Sequence, residues 1–111
     1  REYDFVQDRA GRRYHGEFFM YLFEDLRSRG HGVDQFRVTQ RDVDALDVDV
    51  VTHAPLSDAV RRALLGEFGR RLPGMRVALR RVDALPRRPS GKAVVVENLW
   101  LKADREPPVP A

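Results

Sequence analysis

Residues 33–51 carry the pattern that most narrows the fold. The stretch "VDQFRVTQ" places Phe36 and Val38 on one side and Gln35, Arg37 and Thr39 on the other. The stretch "ALDVDVV" repeats this with Leu46, Val48 and Val50 against Asp47 and Asp49. A period of two is that of a half-buried β-strand, and the intervening "RDVD" reads as a hairpin connection. Arg37 facing one of the two Asp residues across the strands would be a modest stabilising pair. Such a hairpin has one apolar face that something else must cover.

The flanking segments supply the cover. In "GEFFMYLFEDLRSRGHG", Phe18, Leu22 and Leu26 recur at spacing four with Phe19 and Phe23 beside them, a wide helical stripe that Gly30 or Gly32 can end. After "THAP", Ser57 is a candidate N-cap with Asp58 in the first turn, and Val60, Leu64, Phe68 and Leu72 follow at spacing four until Pro73-Gly74. "MRVALRRV" alternates again, with Met75, Val77 and Leu79 on one side, and "KAVVVEN" reads as a last short strand. Ahead of all this, "DFVQDRAGRRY" places two short β-type runs around a turn at Ala10-Gly11. The expected fold is α+β: a ferredoxin-like antiparallel sheet with two helices on one face, preceded by a β-hairpin. The expected bounds are residues 4–14 for the hairpin, 16–97 for the core and 104–111 for a disordered tail, in one domain over 1–103. At 111 residues there is room for one core.

Composition excludes several kinds of chemistry. Cysteine is absent, so there is no disulfide framework, thiolate zinc site or Cys nucleophile; a reducing cytoplasm suits such a chain and is the expected compartment. No apolar run approaches the length of a membrane span, so no membrane partner is expected. The histidines His15, His31 and His53 are too scattered for a local metal motif, and no metal is expected. Asp42, Asp44, Asp47 and Asp49 lack the glycine and terminal Glu of a calcium loop, and strand alternation accounts for the last two. Net charge is +3, but acidic residues are interspersed with Arg. The outward strand positions Gln35, Arg37, Thr39, Arg76 and Arg80 include no aromatic on which a base could stack, so nucleic acid is a disfavoured partner.

One stretch breaks the chain's own habit. Of its twenty cationic residues eighteen are Arg and two are Lys, yet "PRRPSGKAVVV" places Lys92 directly after Pro89, Ser90 and Gly91. Arg is a planar fork suited to bidentate pairing, whereas Lys is a point charge on a flexible stem. A solvated loop cation would account for it; so would a cation delivered to a reacting centre.

Three stretches together resemble the small C-terminal domain of adenylate-forming enzymes, closest to the phenylacetate–coenzyme A ligase type and its relatives in capsule and antibiotic biosynthesis. "REYDFV" with "GRRYHGEFF" resembles the family's Gly-Arg-x-x-Asp-x-(Ile/Val) junction and following hairpin. "GVDQFRVTQ" resembles the strand after the first helix, and "LPRRPSGKAVVV" resembles the terminal Pro-x-x-x-x-Gly-Lys motif. The resemblance implies a lid that serves a large N-terminal adenylation domain of the same polypeptide, which binds ATP and magnesium and activates a carboxylic acid. It implies Lys92 as the adenylation lysine, Arg1 near the nucleotide, Tyr3 and Asp4 at the hinge, and Pro89, Ser90 and Gly91 as the motif loop. The hairpin around Gly11 would then face the acceptor, coenzyme A or a carrier-protein thiol. By itself such a lid should not catalyse adenylation. The opening "REYDFV", with strand-like sequence from the start and no initiator Met, reads as a piece of a longer polypeptide. The competing expectation is a stand-alone ferredoxin-like binding or regulatory module.

Overall fold

The two alternating runs form the centre of the sheet. In the computed structural model, which describes residues 3–91 and 94–105, β3 (Gln35–Asp42) pairs antiparallel with β4 (Ala45–Val51), and the register shifts between Gln40 and Asp42. Arg37 does lie opposite Asp49, but Asp49 bonds Arg80 instead, at 3.0 Å. The helix α2 (Asp58–Arg71) leads from β4 to β5 (Arg76–Arg81), which pairs with β4 in parallel. The last strand, β6 (Val96–Asn98), pairs with β3, also in parallel, giving the order β5-β4-β3-β6.

The sheet is therefore mixed where an antiparallel one is expected. Its strand order does not reproduce the ferredoxin-like motif either, which splits a helix-linked strand pair with another strand. The reason lies in β2 (Arg13–His15), which stays paired with β1 (Phe5–Gln7) in a separate two-stranded sheet. With no strand to insert between them, β4 and β5 pair directly.

Two helices cover the apolar face. Helix α1 (Gly16–Ser28) buries Phe19, Leu22, Phe23 and Leu26, the stripe expected from spacing, with Phe18 half-buried beside it. Helix α2 buries Leu64 and Phe68, and Leu72 is buried just beyond its end. Phe23 stacks on Phe36 of β3 at 4.0 Å, and Phe19 and Phe23 both meet Phe68. Each fully buried side chain of this size stabilises the fold by roughly 1.5–3 kcal/mol through removal from water. Ser57 caps α2, its hydroxyl accepting from the Val60 amide. The end of α1 closes with His31 N–H bonded to Leu26 C=O and Gly30 N–H to Arg27 C=O, the Schellman pattern.

An acidic residue seals the two helices together. Glu67 of α2 is only 3 % exposed, and its carboxylate accepts from Arg70 and Arg71 of its own helix and, at 3.0 Å, from Arg29 at the end of α1. The bond from Arg70, then that from Arg71, holds its pKa at about 2 against burial, which pushes it up. A lowered carboxylate pKa means that the stabilisation is complete above the ordinary value of 4.5 and drains away as pH falls towards 2. Glu67→Gln should consequently lower the melting temperature at pH 7 and converge on the parent near pH 2. A gap between the two melting curves that stays constant over that range would overturn this account.

A buried polar clamp joins the small sheet to the large one. Gln40 and Asn98, both fully buried, project on the core side near the C-terminal ends of β3 and β6. The Gln40 amide oxygen accepts from Gln7 N–H and from the Asn98 side chain, each at 2.8 Å, while its nitrogen donates to Gln7 C=O at 2.7 Å. Asn98 donates to Phe5 C=O, and its oxygen accepts from Leu101 N–H. That last bond makes Asn98 the N-cap of α3 (Leu99–Arg105), a helix that lies against β3. No helix is expected there from the sequence reading; α3 runs into the segment expected to be a tail, and residues 106–111 lie outside the described residues. Among the described residues no helix is long and apolar enough to cross a membrane.

Candidate functional site

The motif loop is a built turn. Arg88, Pro89, Ser90 and Gly91 close with Gly91 N–H bonded to Arg88 C=O at 2.8 Å. Proline at the second position presets the required φ, and Gly91 at the fourth sits at φ +83°, a backbone conformation that a side chain would strain. The Arg87 guanidinium reaches over and donates to Gly91 C=O at 3.1 Å. The residue that follows, Lys92, lies outside the described residues, as does Arg1.

The turn is anchored to the start of the chain. Arg88 meets the Asp4 carboxylate at 3.4 Å, with the two side chains 33 % and 43 % exposed. Tyr3, one residue earlier, accepts at its C=O from Asn98 N–H at 3.1 Å. The fold thus brings together Tyr3, Asp4 and the Pro89-Ser90-Gly91 turn, although 84 positions separate Asp4 from Arg88. Arg88 is the residue that sequence reasoning missed. Its only signal is its place in a run of Arg pairs, where nothing separates an anchoring guanidinium from a solvated one.

Gly11 is not part of this cluster. It tips the β1–β2 hairpin at φ +90°, and Asp8 organises the loop around it. The Asp8 carboxylate accepts from the amides of Ala10 at 3.0 Å and Arg12 at 2.8 Å, and from the Tyr14 hydroxyl at 3.2 Å. Burial, then the Asp8 charge, raises the Tyr14 pKa. The neighbouring Arg9 pairs with Asp44 in the β3–β4 turn, a partnership that raises the Arg9 pKa. Between them, an open cleft of about 370 Å³ is lined by Asp8, Arg9, Asp44 and the Pro73–Met75 segment. Asp8→Ala should free the Ala10 and Arg12 amides and lower stability by about 1 kcal/mol. Hydrogen exchange would then quicken at residues 8–12 first; unchanged exchange there would show that the Asp8 carboxylate does not order the loop.

The remaining polar groups do not assemble a reaction centre. His53 pairs with Asp34 at 2.7 Å, His15 packs on Phe5, and His31 follows the α1 cap. Among the described residues no three His, Cys, Asp or Glu side chains stand together in a way that could hold a metal ion. On the sheet face away from α1 and α2, Arg41 pairs with Asp47 and Arg80 with Asp49, while Phe36 lies on the helix side. No family model, curated protein or solved structure matches the chain.

What the site offers is a closed turn that ends on Gly91 and is tied by Arg88 to Asp4, just ahead of β1. The turn itself supplies no nucleophile and no acid–base pair.

Proposed function

We propose that this chain is the C-terminal lid of an ATP-dependent acyl-adenylate-forming ligase, and that Lys92 is its adenylation lysine. The observation that carries the reading is the Pro-led turn ending on positive-φ Gly91 immediately before the lysine, tied through Arg88 to the Tyr3–Asp4 junction. A large ATP-binding domain upstream would hold ATP, magnesium and the carboxylic acid. The Lys92 ammonium would meet a carboxylate oxygen and the α-phosphate as negative charge builds during attack. Withdrawal of the lid would then admit the acceptor, coenzyme A or a carrier-protein thiol, on the side of the Gly11 hairpin. Tyr3 and Asp4 form the hinge, and the Arg88–Asp4 pair links hinge and loop so that they move as one.

The test is ATP–pyrophosphate exchange by the polypeptide that carries this chain, across a panel of carboxylic acids. Acid-dependent exchange is the expected result. A polypeptide with no ATP-binding region before Arg1, or one that exchanges with no acid, would remove the reading. A second reading, a stand-alone binding module, draws on the outer edge of β5, with which no strand pairs among the described residues. On that reading the chain binds its ligand without any upstream domain.

A further inference from the structure

The sheet's two edges are treated differently. The β6 edge is closed by the hairpin, whose β1 lies against β6 and whose Tyr3 C=O takes the Asn98 amide. At the other edge, β5 pairs with β4 and with no other strand among the described residues. The direction of its free backbone groups follows from its bonds. Arg76 N–H donates to Asp44 C=O and Val82 N–H to Val50 C=O, so the even-numbered residues 76–82 turn their polar groups towards β4. Backbone groups alternate sides along a strand, so Val77, Leu79 and Arg81 present theirs outward. Among the described residues, the one side chain found on them is Arg61 of α2, whose guanidinium reaches Leu79 C=O at a long 3.4 Å.

The surroundings of this edge have a definite chemistry. Arg76, Arg80 and Arg81 lie on the strand itself, and Arg61 and Arg62 stand on the adjoining helix. All five residues are exposed. The acids beside them are Asp83, paired with Arg81, Asp49, which is buried under Arg80, Asp47, which is paired with Arg41, and Asp58 in the first turn of α2. Arginines therefore outnumber them at the edge itself, where Arg76, Arg61 and Arg62 form no ion pair among the described residues. On the helix side, Val77 and Leu79 are half-buried, and Leu65 is 37 % exposed one turn beyond Arg61. A helical turn and a two-residue strand step are similar in length, so Leu65 falls alongside Val77 when Arg61 reaches Leu79.

We propose that the outer edge of β5 is a docking site for an extended acidic segment of a partner protein, which joins the sheet as a further strand. Outward N–H and C=O groups at Val77, Leu79 and Arg81 supply the ladder, as in strand addition generally. Alternation of the incoming strand puts acidic side chains beside Arg76 and Arg80 on the open face and apolar ones against Val77, Leu79 and Leu65 on the other. Arg61 leaves the Leu79 carbonyl and turns to a carboxylate. A second copy of this chain is a poor occupant, because pairing β5 with β5 would crowd two sets of Arg76, Arg80 and Arg81 along one seam with no acid on either strand. Docking at this edge is independent of Lys92 and of adenylation.

Cations on an edge strand also serve to repel other edges, and the experiment separates that role from docking. The probe is an acetylated, amidated seven-residue peptide alternating Val and Glu, titrated into the 111-residue chain with amide chemical shifts as the readout. The same peptide with Lys for Glu is the control. Binding of the Glu peptide, with shifts centred on Val77, Leu79 and Arg81 and none from the Lys peptide, is the expected result. Val77→Pro removes one outward N–H without touching the β4 ladder, and should weaken binding about tenfold or more. Arg76→Glu combined with Arg61→Glu should do the same, and carries the test if the proline variant does not fold. The proposal fails if neither peptide shifts those amides, or if both variants bind as the parent does. It fails equally if sedimentation shows the chain dimerising through this edge.

Discussion

Gln40→Leu lowers the stability of the chain by about 3–4 kcal/mol, since several buried polar groups lose a partner at roughly 1–3 kcal/mol each before relaxation. The leucine keeps most of the volume, so little of the loss comes from packing. What it strands is the Gln7 N–H and C=O and one donor of Asn98, all inside the junction between the two sheets. A loss of that size shifts the melting temperature by on the order of 15 °C for a domain this long. Gln35→Leu, on the same strand but exposed, should stay within about 0.5 kcal/mol. The hairpin also reports the change locally: the Gln7 amide exchanges faster in the variant even where the large sheet stays protected. A Gln40→Leu chain as stable as the parent would mean that water or a shifted hairpin satisfies those groups.

Lys92→Ala in the polypeptide that carries this chain cuts ATP–pyrophosphate exchange by at least about a hundredfold, the scale for removing one preorganised donor from a developing negative charge. Thioester formation from pre-made acyl-adenylate falls much less, because in that half the thiol attacks the acyl carbon and AMP leaves after the lid, on this reading, has withdrawn Lys92. Lys92→Arg is expected to behave like the alanine variant, since a planar fork does not replace a point charge in a crowded centre. Exchange that survives Lys92→Ala would make Lys92 an ordinary loop cation and remove the adenylation reading with it.

Much of the fold was legible because periodicity reports burial. Phe19, Leu22, Phe23 and Leu26 on α1, and Val38, Leu46, Val48 and Val50 on the central strands, all lie where their spacing puts them. The hairpin at Gly11 was legible for a related reason, a glycine at the one point where φ must be positive. Strand partnership was not. Nothing in the apolar pattern distinguishes a β5 that sits beside β4 from one separated from it by another strand. Helix α3 was missed because its start is an Asn98 cap at the end of a short apolar run, and the buried side chain of Asn98 serves the sheet as much as the helix.

At the candidate site the division follows the range of the forces involved. Turn geometry is local, so Pro89, Ser90 and Gly91 announce their turn from three adjacent letters. The bond that fastens this turn, Arg88 to Asp4, joins residues 84 positions apart. Among eighteen arginines only the folded arrangement selects which guanidinium meets which carboxylate. The same holds for Glu67, an ordinary helix glutamate in the sequence, which becomes the buried acceptor of Arg29, Arg70 and Arg71 once α1 and α2 pack. Apolar spacing and turn chemistry are properties of neighbours along the chain and settle the elements. Charge pairing, polar burial and strand order are properties of neighbours in space, and packing alone decides them.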